Sequence, residues 1–135
     1  MNIRTESIED SPAGSVAGAV RVWLRIEGVA ALVAGVALYV HEGGQVLWIV
    51  PLLLAVDVSM AGYLAGPRLG AICYNLAHNW ATGLAVLGAG VALRSMPLIL
   101  AGAVLVAHVG FDRLAGYGLK YPTAFRDTHL GRLGR

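Results

Sequence analysis

The stretch Leu98-Ile-Leu-Ala-Gly-Ala-Val-Leu-Val-Ala-His108-Val-Gly-Phe-Asp112-Arg113 decides the fold class of this chain. It is apolar enough to cross a lipid bilayer, yet it carries three ionisable residues near its end. A charge at the bilayer centre costs roughly 2.5–3.5 kcal/mol on insertion scales, so ionisable residues there are rare and mark candidate functional sites. The stretch therefore predicts a membrane helix and a functional site on the same element.

The composition of the whole chain agrees with a membrane protein. Of its 135 residues, 57% are hydrophobic and 13% are charged, whereas a soluble domain is about 25% charged. The net charge is +2 and the basic residues are scattered, so we expect no nucleic-acid partner. The single cysteine, Cys73, excludes an internal disulfide and a cysteine-based zinc cluster.

Four apolar segments approach the length of about 20 residues that a membrane helix needs. The connections between them are short, so neighbouring segments must run antiparallel. We predict an all-α, integral membrane, four-helix up-down bundle over residues 22–119, preceded by a polar tail and lead-in (1–21) and followed by a basic-aromatic tail (120–135). The predicted spans are about 22–40, 46–65, 69–93 and 98–119.

Basic residues concentrate at the two ends of the chain and between the second and third spans. Since Lys and Arg are enriched in cytoplasmic loops, both termini are predicted to be cytoplasmic. We expect a multi-pass protein of the cytoplasmic membrane whose partners are membrane lipids and either a second copy of the chain or a larger membrane complex. The basic residues concerned are Arg4, Arg21, Arg25, Arg68, Lys120, Arg126, Arg132 and Arg135.

This orientation places ionisable residues of three spans in the same cytoplasmic half of the membrane. His108 and Asp112 are four residues apart and share one helical face. Two neutral imidazoles with one or two carboxylates suit zinc, iron or manganese. We therefore predict a divalent metal such as zinc at His78, His108 and Asp112, with Asp57 as a further ligand or as the general base on bound water.

Further polar residues are predicted to surround this site. Asn75 is a candidate for orienting a substrate carbonyl during catalysis. Arg68, Arg113 and Lys120 would hold an anionic headgroup, and His129 would reach the site if the tail folds back; a solvated tail is the alternative. The predicted ligand-binding residues are Tyr63, Arg68, Tyr74, Arg113, Tyr117, Lys120 and His129.

The same residues admit an interpretation without a metal. Pairing of Asp57 with Arg68 or Lys120, and of Asp112 with an arginine, would neutralise the buried charges without any chemistry. The chain would then be a non-enzymatic bundle that binds a small ligand or partner, or relays protons, through a His/Asp/Arg network, or a subunit of a larger membrane complex. Convergent ligand atoms would favour the metal, whereas direct Asp–Arg pairs would favour the network.

Several short strings carry a resemblance over nearly the whole chain. They are Arg25-Ile-Glu-Gly28, Asp57-Val-Ser-Met-Ala-Gly-Tyr-Leu-Ala-Gly-Pro-Arg68-Leu-Gly, Tyr74-Asn-Leu-Ala-His78, His108-Val-Gly-Phe-Asp-Arg113, Gly116-Tyr-Gly-Leu-Lys-Tyr121 and Thr128-His-Leu-Gly131. Residues 22–131 resemble a family of small bacterial membrane proteins catalogued as domain of unknown function 4260. The resemblance implies a four-span bundle in the bacterial inner membrane and no particular activity.

A looser likeness concerns the site alone. His78, His108 and Asp112 are similar to the metal ligands of intramembrane hydrolases of the alkaline-ceramidase type, although this chain has four predicted spans and lacks their paired His-xxx-His. The likeness implies a metal-dependent hydrolase that acts on a lipid or another amphiphile.

Overall fold

The computed structural model describes residues 12 and 14–133, which are mostly helical. Most of the predicted polar tail, residues 1–11 and 13, lies outside the described part, as do 134 and 135. A short 3-10 turn (Val46–Trp48) leads into α2, and a long 3-10 helix (Asp57–Ala65) continues it. The other elements are α1 (Gly18–His41), α2 (Ile49–Val56), α3 (Pro67–Ala77), α4 (Trp80–Ala92), α5 (Met96–Ala115), β1 (Asp127–Thr128) and β2 (Gly131–Arg132).

Three helical runs of the described residues are long and apolar enough to cross a membrane. They are Gly18–His41, Val46–Ala65 and Met96–Ala115. The prediction of a mostly helical chain with apolar helices of membrane-spanning length is thereby confirmed. The last run ends before the predicted end of the fourth span, because Gly116 takes the left-handed conformation, with φ of 89°, that terminates α5.

The predicted third span, residues 69–93, is interrupted, and the structure corrects the single helix to α3 and α4. His78 leaves the helical region, and Asn79 is extended. The Asn79 side chain accepts a hydrogen bond from the Thr82 backbone N–H at 2.9 Å and donates one to the Asn75 carbonyl at 2.7 Å. One side chain thus satisfies both helix ends, which is what an interrupted backbone within a bilayer requires.

Helix α5 lies at the centre, and glycines let α1 and α4 approach it closely. A Cβ atom at Gly28 would lie 2.7 Å from the carbonyl oxygen of Gly110, and one at Gly35 would lie 2.7 Å from that of Ala103. On the α4 side, a Cβ atom at Gly90 would lie 2.6 Å from the backbone nitrogen of Ile99. Small residues permit such backbone contact between helices in lipid. Because residue numbers rise along α1 as they fall along α5, these two helices are antiparallel.

The remaining face of α5 is covered less regularly. Helix α2 contacts α5, and α3 packs against the long 3-10 helix, where a Cβ atom at Gly62 would lie 2.8 Å from the Cβ of Cys73. A 3-10 helix of nine residues is unusual, since runs longer than about 3–4 residues are uncommon and often mark a functional hinge. This one begins at Asp57, and the other irregularity falls at His78. Both breaks therefore coincide with candidate ligands.

The C-terminal segment folds back onto the helices. Strands β1 and β2 form an antiparallel hairpin, and Lys120 bridges to Thr128, which is fully buried. The carbonyl of His129 accepts a hydrogen bond from the backbone N–H of Val16 at 2.6 Å, which joins the tail to the segment before α1. Of the two alternatives for the tail, the structure therefore has the folded-back one.

Candidate metal centre

Four ionisable side chains converge at one face of α5, which itself carries two of them. Asp57 begins the long 3-10 helix, His78 follows α3, and His108 and Asp112 lie one turn apart on α5. The Oδ1 atom of Asp57 is 3.3 Å from Nε2 of His78 and 3.4 Å from Nε2 of His108. Oxygens of Asp112 lie 3.8 Å and 3.6 Å from the same two nitrogens. The structure thus brings the three predicted metal ligands together with the predicted base.

Local backbone geometry accounts for the position of each imidazole. His108 lies on the helix that α1 and α4 hold in place. His78 stands where α3 ends, and its ring stacks on Tyr74 with centroids 3.8 Å apart. Its carbonyl, left without a helical partner, accepts a hydrogen bond from Nη2 of Arg113 at 3.0 Å. The break in the third span is therefore what turns His78 toward α5.

Two of the three distances between the ligand atoms fit a tetrahedral metal centre. Bonds of about 2.0–2.1 Å to a tetrahedral zinc ion place ligand atoms about 3.3–3.4 Å apart. Asp57 meets this distance to both imidazoles, and the ligand atoms of Asp57, His78 and His108 all lie within 4.8 Å of one another. Asp112 is slightly farther away, and its Oδ2 accepts a hydrogen bond from the Tyr74 hydroxyl at 2.7 Å.

The hydrogen bonds around the cluster leave lone pairs facing one another. Nδ1 of His78 lies 2.8 Å from the carbonyl oxygen of Tyr74, so it must carry the proton of a neutral ring. Nε2 then presents a lone pair to two carboxylates. Nε2 of His108 is buried and has no hydrogen-bond partner among the described residues. Buried acceptors that face acceptors are unfavourable unless a cation, either a metal ion or a proton, lies between them.

The Asp–Arg pairs of the metal-free interpretation are not formed. Within the described part of the chain, neither Asp57 nor Asp112 has an Arg or Lys nitrogen within 4.0 Å. Arg113 is buried and donates to the carbonyls of Tyr117, at 2.6 Å, and His78. Arg68 is exposed. The sequence-based pairing of Asp57 with Arg68 or Lys120 is therefore corrected, because backbone carbonyls and solvent take these cations.

Three predicted site residues stabilise the tail instead of joining the cluster. The side-chain amide of Asn75 donates to the carbonyl of Lys120 at 2.9 Å and accepts from its N–H at 2.7 Å, which attaches the tail to α3. His129 accepts a hydrogen bond from a tail N–H at 2.8 Å, and burial lowers its pKa. Tyr63 packs edge-on against Phe125, with ring centroids 5.1 Å apart.

A cavity of about 550 Å³ opens from the cluster. Asp57, His108 and Asp112 contribute polar groups to its lining, as do the predicted ligand-binding residues Tyr117 and Lys120. Its apolar wall was not predicted, although Val50, Leu53, Leu54 and Asp57 have the i, i+3, i+4, i+7 spacing of one helical face, which is a usable signal. The other lining residues are Val50, Leu53, Leu54, Met60, Tyr74, Phe111, Phe125 and Leu133.

Comparison with known proteins gives one match. A family model described as domain of unknown function (DUF4260) matches residues 21–133. The matched range contains the whole cluster, the cavity and the folded-back tail. No curated protein and no solved structure matches the chain.

Proposed function

This chain belongs to the DUF4260 family, and since that description names no activity, we propose from the site that it is a membrane-embedded, metal-dependent hydrolase acting on a lipid or another amphiphile. The observation that carries the proposal is the convergence of Oδ1 of the half-buried Asp57 with Nε2 of the buried His78 and His108, at 3.3 Å and 3.4 Å. The cavity beside them supports an amphiphilic substrate, because it joins a polar end to an apolar wall.

In this proposal Nε2 of His78, Nε2 of His108 and Oδ1 of Asp57 would hold a divalent cation such as zinc. Catalytic zinc sites have three protein ligands and one open position. The cation would supply a water of lowered pKa and polarise the scissile carbonyl. Asp112 acts as the general base, oriented by the hydroxyl of Tyr74. Of the two roles that sequence suggested for Asp57, the proposal takes the ligand, because Asp57 lies nearer the ligand distance, and Asp112 becomes the base instead of a ligand.

The proposed reaction is hydrolysis of an ester or amide. Water adds to the carbonyl carbon, and the C–O or C–N bond to the leaving group breaks. Asp112 accepts a proton from the attacking water and returns it to the leaving group. Tyr74 holds Asp112 in position through its 2.7 Å hydrogen bond. The apolar wall of the cavity limits water around the reacting bond.

We also propose that α3 and α4 together form one crossing, the third along the chain. With the three long helical runs, this gives an up-down bundle of four crossings in the bacterial inner membrane. The distribution of basic residues supports cytoplasmic termini and a site that opens toward the cytoplasmic leaflet. Membrane lipids, a second copy of the chain or a larger membrane complex remain the expected partners.

The test is the metal content of the protein purified in a neutral detergent with a tag that binds no metal. After incubation with zinc and gel filtration, the wild type should carry about one ion per chain. His108→Ala and His78→Ala should carry none, whereas His41→Ala, a matched change at an exposed histidine outside the cluster, should keep the ion. Wild-type protein without bound ion, or equal loss in His41→Ala, would contradict the proposal.

A second candidate is a metal-free bundle that relays protons or binds a small ligand. The observation that favours it is the 3.3 Å approach of His78 to Asp57, which a doubly protonated imidazole would use as a hydrogen bond. Nitrogen NMR of histidine-labelled protein separates the two candidates. Protonation of both His78 nitrogens at neutral pH, with no change on adding zinc, would favour the relay.

A further inference from the structure

A buried lysine faces the same cavity without a counter-ion. Lys120 is 5% exposed and lines the cavity. Its Nζ donates one hydrogen bond, to the carbonyl of Phe125 at 2.8 Å, and no carboxylate oxygen of the described residues lies within 4.0 Å of it. An ammonium group has three N–H donors, so two of them have no partner in the described part of the chain.

The surroundings of Lys120 compensate its charge only in part. Nζ lies 3.7 Å from the ring centroid of Phe125 and 4.7 Å from that of Tyr74, so the faces of two aromatic rings attract the cation. Burial lowers the pKa of Lys120 to about 8, while the more distant carboxylates of Asp112 and Asp57 act in the opposite direction. A buried charge that is not paired is costly, and an anion in the cavity would remove that cost.

Lys120 is held where it is by its own backbone. Both polar atoms of the Asn75 amide bind its N–H and carbonyl, and its bridge to Thr128 fixes the strand-like segment around it. The position is therefore built into the fold. The other predicted headgroup residues do not compete for this role, since Arg113 is bound to backbone carbonyls and Arg68 is exposed.

The apolar wall defines the rest of the ligand. Val50, Leu53 and Leu54 of α2 line it with Met60 and Phe111. Val50 precedes Asp57 by seven residues, so the wall extends about 10 Å from the cluster along α2. A volume of about 550 Å³ matches a single small ligand, since such pockets measure roughly 300–1,000 Å³. The cavity has room for one alkyl chain.

We propose that the cavity binds an amphiphile with one alkyl or acyl chain and one anionic group, a carboxylate, phosphate or sulfate, whose anion pairs with Lys120 while the chain lies along α2. The hydrolysable bond of the ligand then lies between its anion and its chain, beside Asp57 and His108. The position of this bond rests on the proposed hydrolase function, whereas binding of the anion to Lys120 needs no metal.

The test measures binding of decyl phosphate to EDTA-treated protein in phosphatidylcholine nanodiscs by calorimetry, with decanol as the uncharged probe. Lys120→Met should weaken decyl phosphate binding by at least about tenfold, since a charge-assisted contact is lost, and should leave decanol binding unchanged. Leu54→Trp, which fills the wall, should weaken the binding of both probes. Arg68→Met removes an exposed cation and should bind decyl phosphate as the wild type does.

A second measurement needs no variant, because Lys120 is the only lysine of the chain. Lysine labelled with carbon-13 at Cε alone gives a single NMR signal. Decyl phosphate should shift this signal, and decanol should not. An unshifted signal would overturn the proposal, as would equal weakening in Arg68→Met and Lys120→Met, which indicates surface attraction alone. If the protein takes up no metal but binds decyl phosphate through Lys120, the hydrolase proposal is refuted and the anion site stands. If it takes up metal but its binding of decyl phosphate does not depend on Lys120, the anion site alone is refuted.

Discussion

The two sides of α5 are built on different principles. On the side we call the packed face, formed with α1 and α4, glycines bring backbones together. On the side we call the open face, formed with α2, the long 3-10 helix and α3, the helices are irregular and enclose a cavity beside four ionisable residues. Since one helix serves both, the close contacts on the packed face fix His108 and Asp112, which α5 presents to the open face.

The difference has a physical cause in each case. Lipid offers little hydrophobic driving force between helices, so their association depends on close packing and small residues. Glycines on the packed face accordingly let the backbones of α1 and α4 approach α5. The open face has polar groups where its helices break, and side chains bind the backbone atoms left free at the break between α3 and α4. Asn79 binds the carbonyl of Asn75 and the N–H of Thr82, and Arg113 binds the carbonyl of His78. Close helix packing lies on one face and the candidate metal centre lies on the other.

The largest effect is expected on the packed face. Gly28→Val should abolish stable folding or cost about 3 kcal/mol or more, because its Cβ would meet backbone atoms of Gly110 and Leu114 at 2.7 Å. Thermal unfolding in micelles, monitored by circular dichroism, measures this loss of stability. Gly88→Ala is the control, since its Cβ meets nothing within 4 Å and alanine favours helix. Equal tolerance of both changes would mean that the close contact of α1 with α5 does not stabilise the protein.

An intermediate effect of opposite sign is expected on the open face. Asp57→Asn replaces an acceptor by an amide that can donate to Nε2 of His78 or His108. Without metal it should stabilise the protein by about 1 kcal/mol, while its zinc affinity should fall at least about tenfold. Unfolding in EDTA and zinc titration measure the two quantities. Destabilisation in EDTA would instead favour a protonated His78 paired with Asp57.

The smallest effect concerns Lys120 and pH. Its pKa is about 8 in the folded protein, below the ordinary 10.5, so between these values the unfolded state binds more protons and stability should rise with pH. The melting temperature of the wild type should therefore increase by a few degrees from pH 8 to 10 relative to Lys120→Met. The difference between the two proteins removes the contribution of other groups. A pH-independent difference would show that Lys120 keeps its ordinary pKa.

Hydropathy was sufficient to predict the membrane-crossing helices but not their interruptions. The break after α3 lies in an apolar window, where two polar residues change the average little. The spacing of Asn79 and Thr82 is a local signal for it, because Asn is a favoured N-cap residue whose side chain accepts from the third residue of the helix. The 3-10 geometry after Asp57 has no such signal, since it depends on packing against α3.

The site was predictable where it depended on helix periodicity. His108 and Asp112 follow from their i, i+4 spacing, and their meeting with Asp57 and His78 follows from alternating helix directions. The role of Asn75 was not predictable, because its amide bonds to Lys120, which is 45 residues away and held by a hairpin of two-residue strands. Such short strands leave no periodic pattern in the sequence.

The distribution of the ligands along the chain affects the order in which the protein is made. A ribosome delivers Asp57 first, His78 next and His108 last, on three separate elements. Since chains fold from the N-terminus during synthesis, the early helices must enter the bilayer while Asp57 and His78 still lack their partners on α5. Under the proposed metal function, we therefore expect ion uptake to follow membrane insertion and not to guide it, so that the nascent protein inserts without the ion even where zinc is plentiful.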